Sequence, residues 1–136
     1  MKRTASAHWE GDLKTGKGNI STQSTTLNKT QYSFSTRFEE GVGTNPEELL
    51  AAAHAGCFTM SVSAALGREG ITPAALDTVA TLTLENLTVT GIHLAINGSV
   101  PGIDAAKFQE VTKGAEQNCI ISKALSVPIT SEATLV

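Results

Sequence analysis

A chain of 136 residues can bury one modest core, at ~100–200 residues per domain, and is too short for two large domains. Apolar residues make up 40% and charged residues 17%, an ordinary globular balance that excludes disordered and collagen-like chains. With 10 Lys and Arg against 13 Asp and Glu, the net charge of −3 leaves no basic footprint for nucleic acid or an anionic membrane.

The N-terminus carries Lys2 and Arg3 but no apolar stretch behind them, so no secretory signal is read there. No run reaches the ~18 consecutive apolar residues of a membrane span; the longest, Leu49 to Phe58, is interrupted by His54 and Gly56. The expectation is a cytoplasmic protein with no membrane segment. Residues 1–45 are rich in Thr, Ser and Gly, with turn signals at Gly11-Asp12, Gly16-Lys17-Gly18 and Asn28-Lys29. They predict short antiparallel strands near 4–10, 14–22 and 31–38.

Thr44-Asn45-Pro46-Glu47-Glu48 is a helix start: Thr44 or Asn45 caps, Pro46 suits the first helical position, and the two acids face the positive helix end. The helix is predicted to run to about Gly67, and its Ala-rich body, apolar nearly all round, predicts burial on most sides. From Thr78 the period switches to two. Ala80, Leu82 and Leu84, then Ile92, Leu94 and Ile96, alternate with more polar neighbours and predict a half-buried antiparallel pair. Pro101-Gly102 ends the second strand. Asp104 caps a helix whose face is Phe108, Val111 and Ala115, ending near Asn118. A helical turn at 121–125 and a strand over 127–135 complete an α+β order in one domain, residues 1–136.

Cys57 and Cys119 lie 62 residues apart with no CxxC and no Cys/His cluster, so a structural metal is not expected. The plain reading of each is a small buried hydrophobe. Gly56 beside Cys57 costs ~1 kcal/mol of helix propensity; either another backbone packs against that turn or a small substrate must reach the sulfur. Arg37, one of three arginines, is followed by Glu39, Glu40, Glu47 and Glu48, for which a surface ion pair is the plain reading. His54 stands three residues before Cys57, the spacing of neighbours on one helix face, so a Cys–His hydrolase diad has to be weighed. No oxyanion-hole motif accompanies it, and a packed core histidine is the commoner outcome. His8 and His93 fall at outward-facing strand positions.

Taken together, Thr36-Arg37-Phe38-Glu39, Gly43-Thr44-Asn45-Pro46-Glu47-Glu48-Leu49, Ala53-His54-Ala55-Gly56-Cys57-Phe58 and Val100-Pro101-Gly102-Ile103-Asp104 resemble the OsmC/Ohr family of hydroperoxide reductases. His8-Trp9-Glu10-Gly11-Asp12 and the stretch from Asn118-Cys119 to Ser122 resemble its OsmC branch. The resemblance implies an OsmC-like α+β fold, antiparallel sheets around a long buried central helix, in an intertwined homodimer. It implies a thiol-dependent peroxidase acting on organic hydroperoxides and hydrogen peroxide. In it Cys57 matches the peroxide-attacking cysteine, Cys119 the resolving cysteine, Arg37 the active-site arginine and Glu47 its carboxylate partner. No cofactor is bound; an external dithiol of lipoyl type, free or on a lipoylated protein, is the expected reductant. The family commonly has proline after the second cysteine, where this chain has Ile120.

These residue types suit that chemistry. A free thiol with pKa ~8.5 is only a few per cent thiolate at neutral pH, and the thiolate is the nucleophile. A guanidinium nearby favours the charged sulfur and can hold the oxygen on which negative charge develops. Glu47 and Cys57 are ten residues apart, roughly 15 Å of rise on a straight helix and about 80° from sharing a side. A site using both needs a bent helix or a second subunit, and a dimer with each site across the interface is predicted. The competing readings are a non-enzymatic redox sensor or hydrophobic-ligand module using the same cysteines, and the Cys–His hydrolase.

Overall fold

The computed structural model describes residues 1–136. The chain divides into two compact units, Met1–Leu49 and Leu50–Val136. In the first, β1 (Ala5–Glu10), β2 (Lys17–Thr22) and β3 (Thr30–Tyr32) form an antiparallel sheet in the order β1-β2-β3. The second strand starts later than the predicted 14 because Asp12 takes hydrogen bonds from the Thr15 N–H at 2.7 Å and the Thr15 hydroxyl at 2.8 Å, which hold that stretch in a turn. Gly18 faces Trp9 and Tyr32, whose rings lie 5.5 Å apart, and a Cβ there would strike both.

The strand predicted over 31–38 stops at Tyr32, and Phe34–Phe38 form a short helix, α1. A capping box decides this: Ser33 Oγ accepts from the Thr36 N–H at 3.3 Å, and Thr36 Oγ1 accepts from the Ser33 N–H at 2.7 Å. Satisfying those amides locally outweighs the strand preference of Phe34 and Phe38.

Helix α2 spans Pro46–Arg68 without interruption. Within the chain it buries one stripe, His54, Phe58, Val62 and Leu66, repeating every four residues, while Ala52, Ala53, Gly56, Met60 and Ala64 are exposed. By length and composition alone α2 could cross a membrane, with mean hydropathy 1.5, but its stripe is part of the core of the second unit.

The second sheet has the order β4-β5-β6, from β4 (Ala75–Glu85), β5 (Thr88–Ser99) and β6 (Ile129–Leu135). β4 and β5 are antiparallel as predicted, joined at Asn86 and Leu87, both at positive φ, as tight hairpins require. β6 lies parallel to β5, so the sheet is mixed and the expectation of purely antiparallel sheets is corrected. A parallel neighbour needs a crossover, supplied here by α3 (Ala105–Asn118) and α4 (Ile120–Ala124).

β5 turns Ile92, Leu94 and Ile96 into the core, where they join Phe58, Val62 and Leu66 of α2 and Phe108, Val111 and Ala115 of α3. Each large side chain fully buried contributes ~1.5–3 kcal/mol. Asp104 caps α3 by accepting from the Lys107 N–H at 2.8 Å. Buried Glu116 fixes α3 to β6: the Ser131 hydroxyl donates to it, and Lys113 Nζ donates both to Glu116 at 2.9 Å and to the Ser131 carbonyl at 3.0 Å.

Candidate active site

In the first unit the structure brings Arg37 and Glu47 together, with Arg37 Nε donating to Glu47 Oε1 at 2.8 Å. The chain around them explains why. Asn45 accepts from the Glu48 N–H at 2.7 Å, capping α2, and its amide donates to the Thr36 carbonyl of α1 at 3.0 Å. Thr44 donates to Glu48 at 2.8 Å, and its N–H bonds the Gln31 carbonyl at 2.8 Å, beside Gly43 at φ 138, where a Cβ would meet that carbonyl. The start of α2 is therefore tied to α1, aiming Glu47 at the arginine.

The pair is single-stranded rather than forked. Glu47 Oε2 is buried without a partner, and the guanidinium lies 5.2 Å over the Phe38 ring with 44% of the Arg37 side chain exposed. Beside it opens a cleft of about 250 Å³ lined by Trp9, Leu13, Tyr32, Phe34 and Phe38. Phe38 thus stands next to a small apolar space.

In the second unit both cysteines are free thiols, Cys57 partly buried and Cys119 2% exposed. Helix α4 connects them. The Ile121 N–H donates to Cys57 Sγ at 3.5 Å, and the next N–H, of Ser122, donates to Cys119 Sγ at 3.3 Å. Two successive amides of one helical turn thereby address the two sulfurs. Cys119 ends α3 and caps α4, and Ile120 occupies the first position of α4, the place that suits proline. Nothing lies within 4 Å of where a Gly56 Cβ would be, so no backbone of this chain packs against that turn. Phe58, fully buried, is a core residue.

His54 is fully buried, and its hydrogen bond goes to Ser122 Oγ, at 2.8 Å, instead of to Cys57. The Cys–His diad is therefore not formed. Burial pushes the imidazole below its ordinary pKa and keeps it neutral. Ser122, which also lies 3.1 Å from Cys119 Sγ, received no role from sequence reasoning. Its spacing of three from Cys119 was the available signal. No three or more His, Cys, Asp or Glu side chains cluster at metal-ligand spacing.

Residues 39–133 match the model of the family described as OsmC-like protein. The chain is 45% identical to proteins named peroxiredoxin OsmC from Escherichia coli (strain K12) and Shigella flexneri, over 99% of this chain and 97% of each relative. Among solved structures, an OsmC-like protein of unknown function from Vibrio cholerae superposes with a TM-score of 0.74 at 14% identity, covering 98% of this chain and 99% of that one. The organic hydroperoxide resistance protein OhrB of Bacillus subtilis does so with 0.65 at 22% identity, covering 98% of both. The shared fold is OsmC-like.

Proposed function

This chain belongs to the OsmC-like family, and we propose that it is a cytoplasmic thiol-dependent peroxidase for organic hydroperoxides. The observation that carries the reading is the pair of free thiols addressed by successive amides of α4, in a chain 45% identical to proteins named peroxiredoxin OsmC.

Cys57, the more accessible sulfur, attacks the terminal oxygen of the O–O bond as thiolate. The bond breaks, the alcohol leaves as alkoxide and takes a proton, and Cys57 becomes a sulfenic acid. Arg37, aimed by Glu47, holds the peroxide and the charge that develops on the departing oxygen. Cys119 then attacks the sulfenic sulfur, releasing water and forming the Cys57–Cys119 disulfide. A dithiol of lipoyl type restores both thiols by exchange. No bound cofactor enters this cycle. The aromatic cleft beside Arg37, at about 250 Å³, favours a small organic peroxide over a bulky one.

The active unit in this reading is a homodimer, with the Arg37–Glu47 pair of one subunit serving Cys57 of the other. Two features support it: ten residues of uninterrupted helix between Glu47 and Cys57, and the uncovered apolar face at Ala52, Ala53, Gly56, Met60 and Ala64. A monomer in light scattering that retains full peroxidase activity would overturn the shared site.

The test is consumption of cumene hydroperoxide and of hydrogen peroxide with dihydrolipoamide as donor. Wild type is expected to turn over, with the organic peroxide preferred; Cys57→Ser is expected to be inactive, and Cys119→Ser to lose recycling. Failure of wild type on both peroxides refutes the reading in favour of redox sensing or ligand binding.

A further inference from the structure

The mechanism leaves one group of buried polar side chains unused. Cys119 must shed a proton to attack, yet it is 2% exposed, and the only side chain hydrogen-bonded to its sulfur is Ser122, at 3.1 Å. Ser122 is itself buried, and its hydroxyl reaches one other group, His54 Nε2, at 2.8 Å. The His54 side chain is fully buried and makes no other hydrogen bond, its Nδ1 being unpartnered. Sulfur, hydroxyl and imidazole form an unbranched chain linking α4 to α2, with a thiol at one end and a neutral base at the other.

We propose that Ser122 and His54 relay the proton of the resolving thiol: as Cys119 attacks, its S–H proton passes to Ser122 Oγ while the Ser122 hydroxyl proton passes to His54 Nε2. The proposal rests on the peroxidase reading for its physiological step, and its geometry is that of general-base assistance through a bridging hydroxyl. Nε2 accepts, so the resting imidazole carries its hydrogen on Nδ1. The electron pair of Cys119 forms the S–S bond, and the S–O bond of the Cys57 sulfenic acid breaks. Hydroxide departs and takes back the proton as water. Cys119 is oxidised, and the Cys57 sulfur falls from the sulfenic to the disulfide level. Ser122 contacts the reacting sulfur; His54 acts through it as a positioning residue and proton acceptor.

Other titratable groups nearby in the chain leave the relay alone. Glu116 of α3 is occupied by Ser131 and Lys113, Lys123 of α4 is exposed, and Cys57 of α2 is the electrophile in this step.

The experiment separates the relay from the peroxidase reading by using a coloured leaving group. Substoichiometric 5,5′-dithiobis(2-nitrobenzoate) loads the more accessible Cys57 as a mixed disulfide and releases one thiolate. Attack by Cys119 then releases the second, and the rate of that phase is followed from about pH 6 to 9.5 by stopped flow. His54→Gln keeps an amide able to hydrogen-bond Ser122 but unable to take up a proton; Ser122→Ala breaks the chain; Ser122→Thr restores a hydroxyl. The expected result is a second phase slowed on the order of 10²-fold near pH 7 in His54→Gln and Ser122→Ala. That loss shrinks toward alkaline pH, where hydroxide in solution can take the proton in place of the relay. Ser122→Thr is expected to recover most of the rate.

A purely structural histidine would leave the pH profile of His54→Gln parallel to wild type, and that outcome overturns the proposal. So does a Ser122→Ala variant with the wild-type rate at pH 7. The same rates after one equivalent of cumene hydroperoxide test the physiological step. If wild type resolves the mixed disulfide but forms no sulfenic acid, the peroxidase reading fails while the relay stands.

Discussion

Gly98→Ala probes how α3 sits on the second sheet. Gly98 lies in the central strand β5, between Leu76 of β4 and Leu135 of β6, and is buried. An added Cβ would collide with Phe108 Cζ and come within 3.0 Å of Cε1 and Cε2. The Phe108 ring is fully buried on α3, and α3 is fastened to β6 through Glu116 and Ser131. With the ring fully buried, overpacking should cost ~1–3 kcal/mol. The stiffer unfolded chain gives back ~0.4–1 kcal/mol, leaving a net loss of about 1–2 kcal/mol. For a chain of this size that lowers Tm by roughly 3–8 °C. Thermal and urea unfolding by circular dichroism would measure it, at one protein concentration because association shifts the midpoint. Phe108→Leu in the same background should cost less than the two single changes added together, since the smaller side chain vacates the space the methyl needs. A wild-type Tm for Gly98→Ala, or strictly additive changes, would refute this seating of α3.

Burial tends to raise the Glu116 carboxyl, but the Ser131 and Lys113 hydrogen bonds, the Lys113 charge and the Gln117 amide together hold it below the ordinary glutamate range. A folded pKa below the unfolded one contributes stability that is present above the glutamate range and lost as pH falls through the folded value. The wild-type urea midpoint should therefore drop more steeply than that of Glu116→Gln between about pH 5 and 3, and parallel curves would contradict the assignment. Arg37→Lys removes the Nε–H that holds Glu47 and the planar fork, and should lower kcat/KM for cumene hydroperoxide by ~10²-fold; an unchanged value would remove Arg37 from the reaction. Ile120→Pro should raise Tm, by ~0.4–1 kcal/mol of stability: Ile120 is 74% exposed and opens α4, and Cys119 at φ −64, ψ 145 already has the conformation a following proline demands. A lowered Tm would argue against that backbone.

What could be read from the residues was local. The start of α2 followed from Thr44-Asn45-Pro46-Glu47-Glu48, and the cap of α3 from Asp104, because those contacts close within four residues. The β4–β5 pair followed from strict alternation. Phe34–Phe38 was misread because aromatic residues favour strands and only the Ser33–Thr36 box argued otherwise. The parallel pairing of β6 depends on a crossover of nearly thirty residues that no local pattern reports. The Arg37–Glu47 ion pair spans ten residues of sequence, and its contact depends on how α1 and the start of α2 are tied together. Ser122 escaped notice because its partner, His54, is 68 residues away. The apolar body of α2 also hid which face it buries, since alanine is at home on either side.

The parallel pairing of β6 also governs when the two thiols can meet during folding. Cys119 lies within the crossover, and α3 is fastened to the sheet through Ser131 on β6. A chain emerging from the ribosome carries both cysteines before it has the strand that secures the second one. Non-local pairings of this kind form late, after their loop-closure entropy has been met. Both thiols are thus in the chain before Cys119 is positioned, and their final arrangement arrives together with completion of the sheet.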